Sequence, residues 1–239
     1  MVSQDLEYRQ GEATFQGFLI YDTAYHGSRP GIVIFHDERG LGFYEKARAQ
    51  QLASMGYVVF AADVYGKGIR PQTLEAVRQE TDRLAADRVL MRLRANAALS
   101  VLKSLPEVDP RKIAALGYGF GGLAALELAR SGADLAGVAV FYGRLDASSK
   151  ASERNIKGKV LVLTGADDPY IPWRQVTAFQ EEMRQAGVDW QLIVYGGAVH
   201  GFANPDAGYD KAAGAAYDRQ IDKRSFVALK YFLTELFED

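Results

Sequence analysis

Apolar residues in this chain gather in short unbroken blocks separated by mixed polar stretches. After the turn signal Gly27-Ser28-Arg29-Pro30, residues 31–36 read Gly-Ile-Val-Ile-Phe-His, and similar blocks recur at 57–63, 112–118, 135–143, 159–165 and 190–196. Runs of this length that are apolar on both sides suit parallel strands buried on both faces, not half-exposed ones. Helical patterns lie between them, through 44–55, one long Arg- and Leu-rich stretch over 73–105, then 123–130, 172–187 and beyond 217. Residues 11–22 mix apolar and polar positions and are expected to pair with Leu6–Arg9 as an opening antiparallel hairpin. Strand alternating with helix predicts an α/β fold with a mostly parallel central sheet and helices on both faces. With no repeats, low-complexity tracts or Pro/Ser linkers, residues 1–239 read as a single domain. Sites in such sheets gather at the carboxyl ends of strands, which singles out the loops after 36, 63, 118, 165 and 196.

Composition narrows the chemistry. The chain has 239 residues, 48% hydrophobic and 24% charged, with a formal net charge of -2. Nothing here resembles the basic footprint of a nucleic-acid binder. No apolar stretch approaches membrane-span length, and residues 1–20 lack a basic start followed by an apolar block, so no membrane partner and a cytoplasmic location are expected. The cysteine count is zero. That excludes disulfides, thiolate zinc sites and iron–sulfur clusters, and also any cysteine nucleophile. No cofactor is expected, and the oligomeric state stays open.

The sharpest segment is Gly117-Tyr118-Gly119-Phe120-Gly121-Gly122, between a strand and a helix. Two chemistries want glycines there. Gly117, Gly119 and Gly122 satisfy the dinucleotide pattern G-x-G-x-x-G, whose glycines let a pyrophosphate approach a helix N-terminus. Gly117, position 119 and Gly121 satisfy the nucleophile elbow G-x-Nu-x-G, a tight turn that lifts its central residue above the sheet. The dinucleotide reading fits poorly, because several strands precede the motif, Tyr118 and Phe120 crowd a phosphate cradle, and Asp146 stands late for a ribose ligand. The elbow reading requires an acid and then a histidine after later strands. Asp168 follows the block at 159–165, and His200 follows the block at 190–196. An acid so placed holds the imidazole tautomer and stabilises its charged form. The alternative set His36, Asp37, Asp167 and His200 has no metal-binding spacing, so no metal is expected.

With these residues the chain resembles the dienelactone hydrolase family over nearly its whole length. The shared motifs are His36-Asp37-Glu38-Arg39-Gly40-Leu41, Ala62-Asp63-Val64-Tyr65-Gly66-Lys67-Gly68, the elbow, Gly165 to Pro169, and His200-Gly201-Phe202. The resemblance implies an α/β-hydrolase fold and a nucleophile–His–Asp triad at positions 119, 200 and 168. It also implies an oxyanion hole from the backbone N–H groups of Glu38 and Phe120, and Asp37 as the acid that contacts the resting nucleophile. Arg39, Tyr65, Tyr118 and Asn204 become candidate substrate contacts. Two departures stand out. Family members that process dienelactone carry an arginine four residues after the histidine, where this chain has Asn204, and Glu38-Arg39 replaces a usual apolar or aromatic pair.

The third departure is decisive for chemistry. The family elbow reads G-Y-C-x-G-G, and Gly119 stands where its cysteine nucleophile belongs. The residue is thus a replaced, misassigned or naturally lost nucleophile, or else His200 with Asp168 activates water directly, which leaves only weak hydrolysis. The expected function is hydrolysis of a small carboxylic ester or lactone on a scaffold altered at 119, with a neutral phosphotriester as a side substrate. The competing readings are a non-catalytic ligand-binding pseudo-hydrolase and a nicotinamide-dependent oxidoreductase.

Overall fold

The computed structural model describes residues 1–147 and 155–238. Strands β1 (Val2–Gln10) and β2 (Ala13–Tyr21) form the expected hairpin, with Gln10 opposite Ala13 across a two-residue turn. The parallel strands are β3 (Arg29–Phe35), β4 (Val58–Ala62), β5 (Val108–Tyr118), β6 (Gly137–Phe141), β7 (Lys159–Gly165) and β8 (Trp190–Tyr195). Together they make one eight-stranded sheet in the order β1-β2-β4-β3-β5-β6-β7-β8, antiparallel only in the β1–β2 and β2–β4 pairings.

The unbroken apolar blocks of the inner strands arise because both faces of the sheet are covered there, whereas the block at 190–196 forms the half-exposed edge strand β8. Along β3, Val33 and Phe35 enter one core while Ile32 and Ile34 enter the other; along β4, Val58 and Phe60 oppose Val59 and Ala61 in the same way. Successive side chains alternate faces, so a strand between two helical layers has no position left for a polar residue. Helices α1 (Phe43–Ala53) and α6 (Arg219–Phe237) cover one face through Leu52, Leu229 and Leu233. Helices α2 (Leu74–Ala86), α3 (Arg88–Lys103), α4 (Phe120–Arg130) and α5 (Trp173–Ala186) cover the other through Leu84, Ala95, Leu123 and Phe179. Burying a side chain such as Phe35 or Phe60 contributes about 1.5–3 kcal/mol.

Strand β5 starts at Val108, four residues before the expected 112, β6 is shorter than the block at 135–143, and two helical segments also differ from the pattern read in sequence. The helical stretch 73–105 is two helices, not one. Asp87 leaves helical geometry at φ -107°, ψ 80°, and its carboxylate accepts from the Leu90 N–H at 2.9 Å, ending α2 while capping α3. Periodicity cannot see this, because both helices turn apolar faces to the same layer. Helix α4 begins at Phe120, three residues before the expected start, directly after the elbow. Among the described residues no helix is long and apolar enough to cross a membrane.

Candidate active site

The turn Gly117–Gly122 sits at the carboxyl end of β5, inside the sheet, and the glycines flanking Gly119 are steric requirements. A Cβ on Gly117 would lie 2.0 Å from the Gly121 carbonyl oxygen, and one on Gly121 would lie 2.2 Å from the Phe35 carbonyl oxygen. The turn therefore packs backbone to backbone against the end of β3. Gly119 has φ 52° and ψ -118°, and its N–H donates to the Phe141 carbonyl at 3.0 Å. Any L-residue there carries backbone strain, the usual mark of an elbow's central position. The dinucleotide alternative loses its acidic ligand as well. Asp146 is engaged by Arg88 at 2.7 Å and by Arg144 at 3.0 Å.

Three loops converge on Gly119. A side chain at 119 would point so that its Cβ lay 3.7 Å from His200 Nε2, 3.5 Å from Asp37 Cβ and 2.8 Å from Glu38 Oε2. Behind His200, Nδ1 lies 2.9 Å from Asp168 Oδ2, and the other Asp168 oxygen accepts the Tyr170 N–H at 2.8 Å. That pairing places the ring proton on Nδ1 and leaves Nε2 facing Gly119 as an acceptor. Burial by itself lowers the affinity of His200 for a proton. The Asp168 hydrogen bond and charge, with the charge of Glu38, outweigh it, so the group titrates above an ordinary histidine. Edge-on rings of Tyr142 and Tyr170, each 5.2 Å away, fix the imidazole plane.

The loop after β3 carries the acids. Asp37 is buried, accepts the Arg39 N–H at 3.0 Å and the Asn204 Nδ2 at 2.6 Å, and donates its own N–H to Glu45 at 3.2 Å. Burial, then the neighbouring Glu45 and Glu38 charges, pushes its carboxyl well above the usual carboxylate range. Asp37 is thus beside position 119, as expected, but the carboxylate atom nearest that position belongs to Glu38. Among the described residues neither the Glu38 nor the Phe120 backbone N–H has a hydrogen-bond acceptor. Tyr65 holds the Glu38 backbone from behind, donating from its hydroxyl to the Glu38 carbonyl at 3.1 Å.

A cavity of about 560 Å³ opens over these groups, lined by Arg39, Phe120, Tyr142, Arg144, Tyr170 and Asn204 among others. Of the candidate substrate contacts, Arg39 and Asn204 reach it. Tyr65 and Tyr118 do not. Both are buried, Tyr65 against Phe120 and His36, and Tyr118 against Tyr44 and Phe141. His36 is also structural. Its Nε2 accepts the Val64 N–H at 3.1 Å and its Nδ1 meets the Asp37 carbonyl at 2.7 Å, tying the ends of β3 and β4 together. Among the described residues no His/Asp/Glu group has metal-binding geometry.

The sequence motifs do not single out Glu45, Arg144 or Tyr142. Tyr142 is the one described non-glycine residue at positive φ, 40°, with its N–H on the Leu163 carbonyl at 2.8 Å. No sequence signal marks such a residue. Glu45 had one, since a glutamate at the third position of a helix completes a capping interaction, here to the Gly42 N–H at 2.9 Å.

Comparison with known proteins settles the lineage. The family model of the dienelactone hydrolase family matches residues 15–237. The chain belongs to the dienelactone hydrolase family. A solved structure described as a dienelactone hydrolase-like promiscuous phosphotriesterase from metagenomic libraries superposes with a TM-score of 0.95 at 37% identity, covering 99% of this chain and 98% of that one. An uncharacterized Caenorhabditis elegans protein is 36% identical over 60% of this chain and 92% of its own length. A putative carboxymethylenebutenolidase of Synechocystis is 24% identical over 79% of this chain and 82% of its own. The expected α/β-hydrolase fold is thereby shown, and dienelactone hydrolases as a family act on small ester or lactone substrates.

Proposed function

We propose that this member of the dienelactone hydrolase family is a hydrolase of small carboxylic esters or lactones. In this reading Asp168 and His200 serve as acid and base, and the Glu38 and Phe120 N–H groups hold the oxyanion. Gly119 leaves the site without a covalent nucleophile. The observation that carries this reading is directional: the missing side chain at 119 points at His200 Nε2, whose other nitrogen is held by Asp168. The positive-φ turn at Gly119, the unengaged N–H pair and the cavity above them support it. Asn204 bonded to Asp37, in place of a free cation, argues against dienelactone's carboxylate as the preferred group.

The test is Gly119→Cys. It is expected to raise hydrolysis of p-nitrophenyl esters by at least about a hundredfold over the present chain, since non-nucleophilic features alone retain only about 10³–10⁴-fold over water. A folded Gly119→Cys protein with no gain would overturn the assignment of position 119. A neutral phosphotriester is the second substrate to try, because the 37%-identical neighbour is described as a promiscuous phosphotriesterase. The competing binder reading expects ligand-induced stabilisation with no turnover in either form.

A further inference from the structure

Where the family is built around a side chain at 119, this chain brings two acceptors together around a glycine. From the point where a Cβ would stand, Glu38 Oε2 is 2.8 Å away and His200 Nε2 is 3.7 Å away. Both atoms face that one point, so a water molecule seated near it lies within reach of the two. Neither is diverted elsewhere. Nε2 is the free face of a ring held by Asp168, and among the described residues the Glu38 carboxylate has neither a hydrogen-bond nor an ion-pair partner. Glu38 is not an elbow residue and owes its place to the loop after β3, whose backbone Tyr65 braces.

We infer that Glu38 is a catalytic residue of this chain, which together with His200 holds the attacking water in the space that Gly119 leaves, so that hydrolysis proceeds by direct water attack. The inference rests on the ester-hydrolase reading above. A water seated just beyond the Cβ point donates one hydrogen to Glu38 and the other to His200, leaving a lone pair aimed into the cavity. In the step, the O–H bond toward His200 breaks and its proton passes to Nε2 while the water oxygen bonds to the carbonyl carbon. The carbonyl electron pair moves to the oxygen facing the Glu38 and Phe120 N–H groups. On collapse the bond to the leaving oxygen breaks and that oxygen takes the proton from Nε2, giving a carboxylic acid and an alcohol. Glu38 takes no proton in the step; it faces the imidazolium and orients the water. General bases of this kind contribute about 10²–10⁴-fold, and two acceptors on one water remove its rotational freedom as well.

The experiment measures p-nitrophenyl acetate hydrolysis by the chain itself, His200→Ala, Glu38→Gln, Glu38→Asp, Gly119→Cys and the Gly119→Cys/Glu38→Gln double variant, each checked for folding by circular dichroism. The chain is expected to exceed His200→Ala. Glu38→Gln is expected to lose at least tenfold in kcat with KM held within about twofold, and Glu38→Asp to fall between. In the Gly119→Cys background the same Glu38→Gln change is expected to cost less than threefold, because sulfur then attacks. Equal kcat for the chain and folded Glu38→Gln overturns the inference. So does turnover in ¹⁸O-water that leaves label in the Glu38 carboxylate, which would mean that Glu38 itself attacks. If the chain is no better than His200→Ala while Gly119→Cys is active, the water mechanism fails and the hydrolase reading stands. If neither turns over, the hydrolase reading fails.

Discussion

Asn204 donates from Nδ2 to Asp37 Oδ2 at 2.6 Å, linking the loop after β8 to the loop after β3 across the floor of the cavity. Both residues are buried. The bond therefore fixes the distance between the strand ends that present Glu38 and His200.

Removing it should be costly. Asn204→Ala strands a buried acceptor on Asp37, an expected loss of about 1–3 kcal/mol, read as a Tm lower by several degrees in thermal denaturation. Asn204→Asp should lose more, and more at high pH than at low, because two facing carboxyls repel once both ionise. A Tm unchanged in both variants would mean that the loops are held by other contacts.

Gly119→Cys should lower stability while adding chemistry. At φ 52° a side chain costs about 1–2 kcal/mol, or a Tm lower by roughly 2–8 °C in a chain of this size. Its Cβ also meets Glu38 Oε2 at 2.8 Å, but that is the far end of a flexible side chain and can swing aside. A Tm that rises would show the elbow to be unstrained.

The pH profile follows from His200. Its folded pKa is raised by Asp168 and Glu38 against the opposing effect of burial. A base must be neutral to accept a proton, so kcat/KM should climb as pH rises through that raised value, above the range of an ordinary histidine. Asp168→Asn should move the midpoint of the profile down and cut the plateau at least tenfold. The linked stability has the opposite sense. It is fully present below the unfolded-histidine pKa and is lost as pH rises through the folded one. Chemical denaturation across that window, in the chain and in Asp168→Asn, reads it directly.

A structural network remote from the site gives a control. Arg130, at the end of α4, is fully buried and binds Glu182 of α5 through two nitrogens at 2.7 and 2.5 Å, Glu127 at 3.0 Å, and the Leu145 carbonyl at 2.8 Å. Arg130→Met leaves the buried Glu182 without its cation and Glu127 with Arg92 alone, at 2.8 Å, an expected loss of about 3–5 kcal/mol. The further change Glu182→Met should recover part of it, a result that urea denaturation of both variants would show.

Much of this molecule was legible before any coordinate. Most of the two-sided apolar blocks became buried parallel strands, the exception being the half-exposed edge strand β8, and the strand order brings Gly119, Asp168 and His200 together. Such features are local patterns whose meaning does not depend on distant partners. Asp87 shows the limit of that legibility, since a single capping residue divided a stretch whose periodicity read as one helix.

Side-chain destinations were a different matter. Tyr65 and Tyr118 stand next to strand ends in sequence yet turn inward to pack, while Glu38, which sequence offered only as a backbone donor, turns its carboxylate onto Gly119. Asn204 meets Asp37, and Tyr142 takes its strained backbone from the strands on either side. Each of these depends on residues more than twenty positions apart meeting after the sheet has closed. Local periodicity carries no record of such meetings. Packing between layers decides which way a side chain faces, and here it determines which carboxylate reaches the elbow.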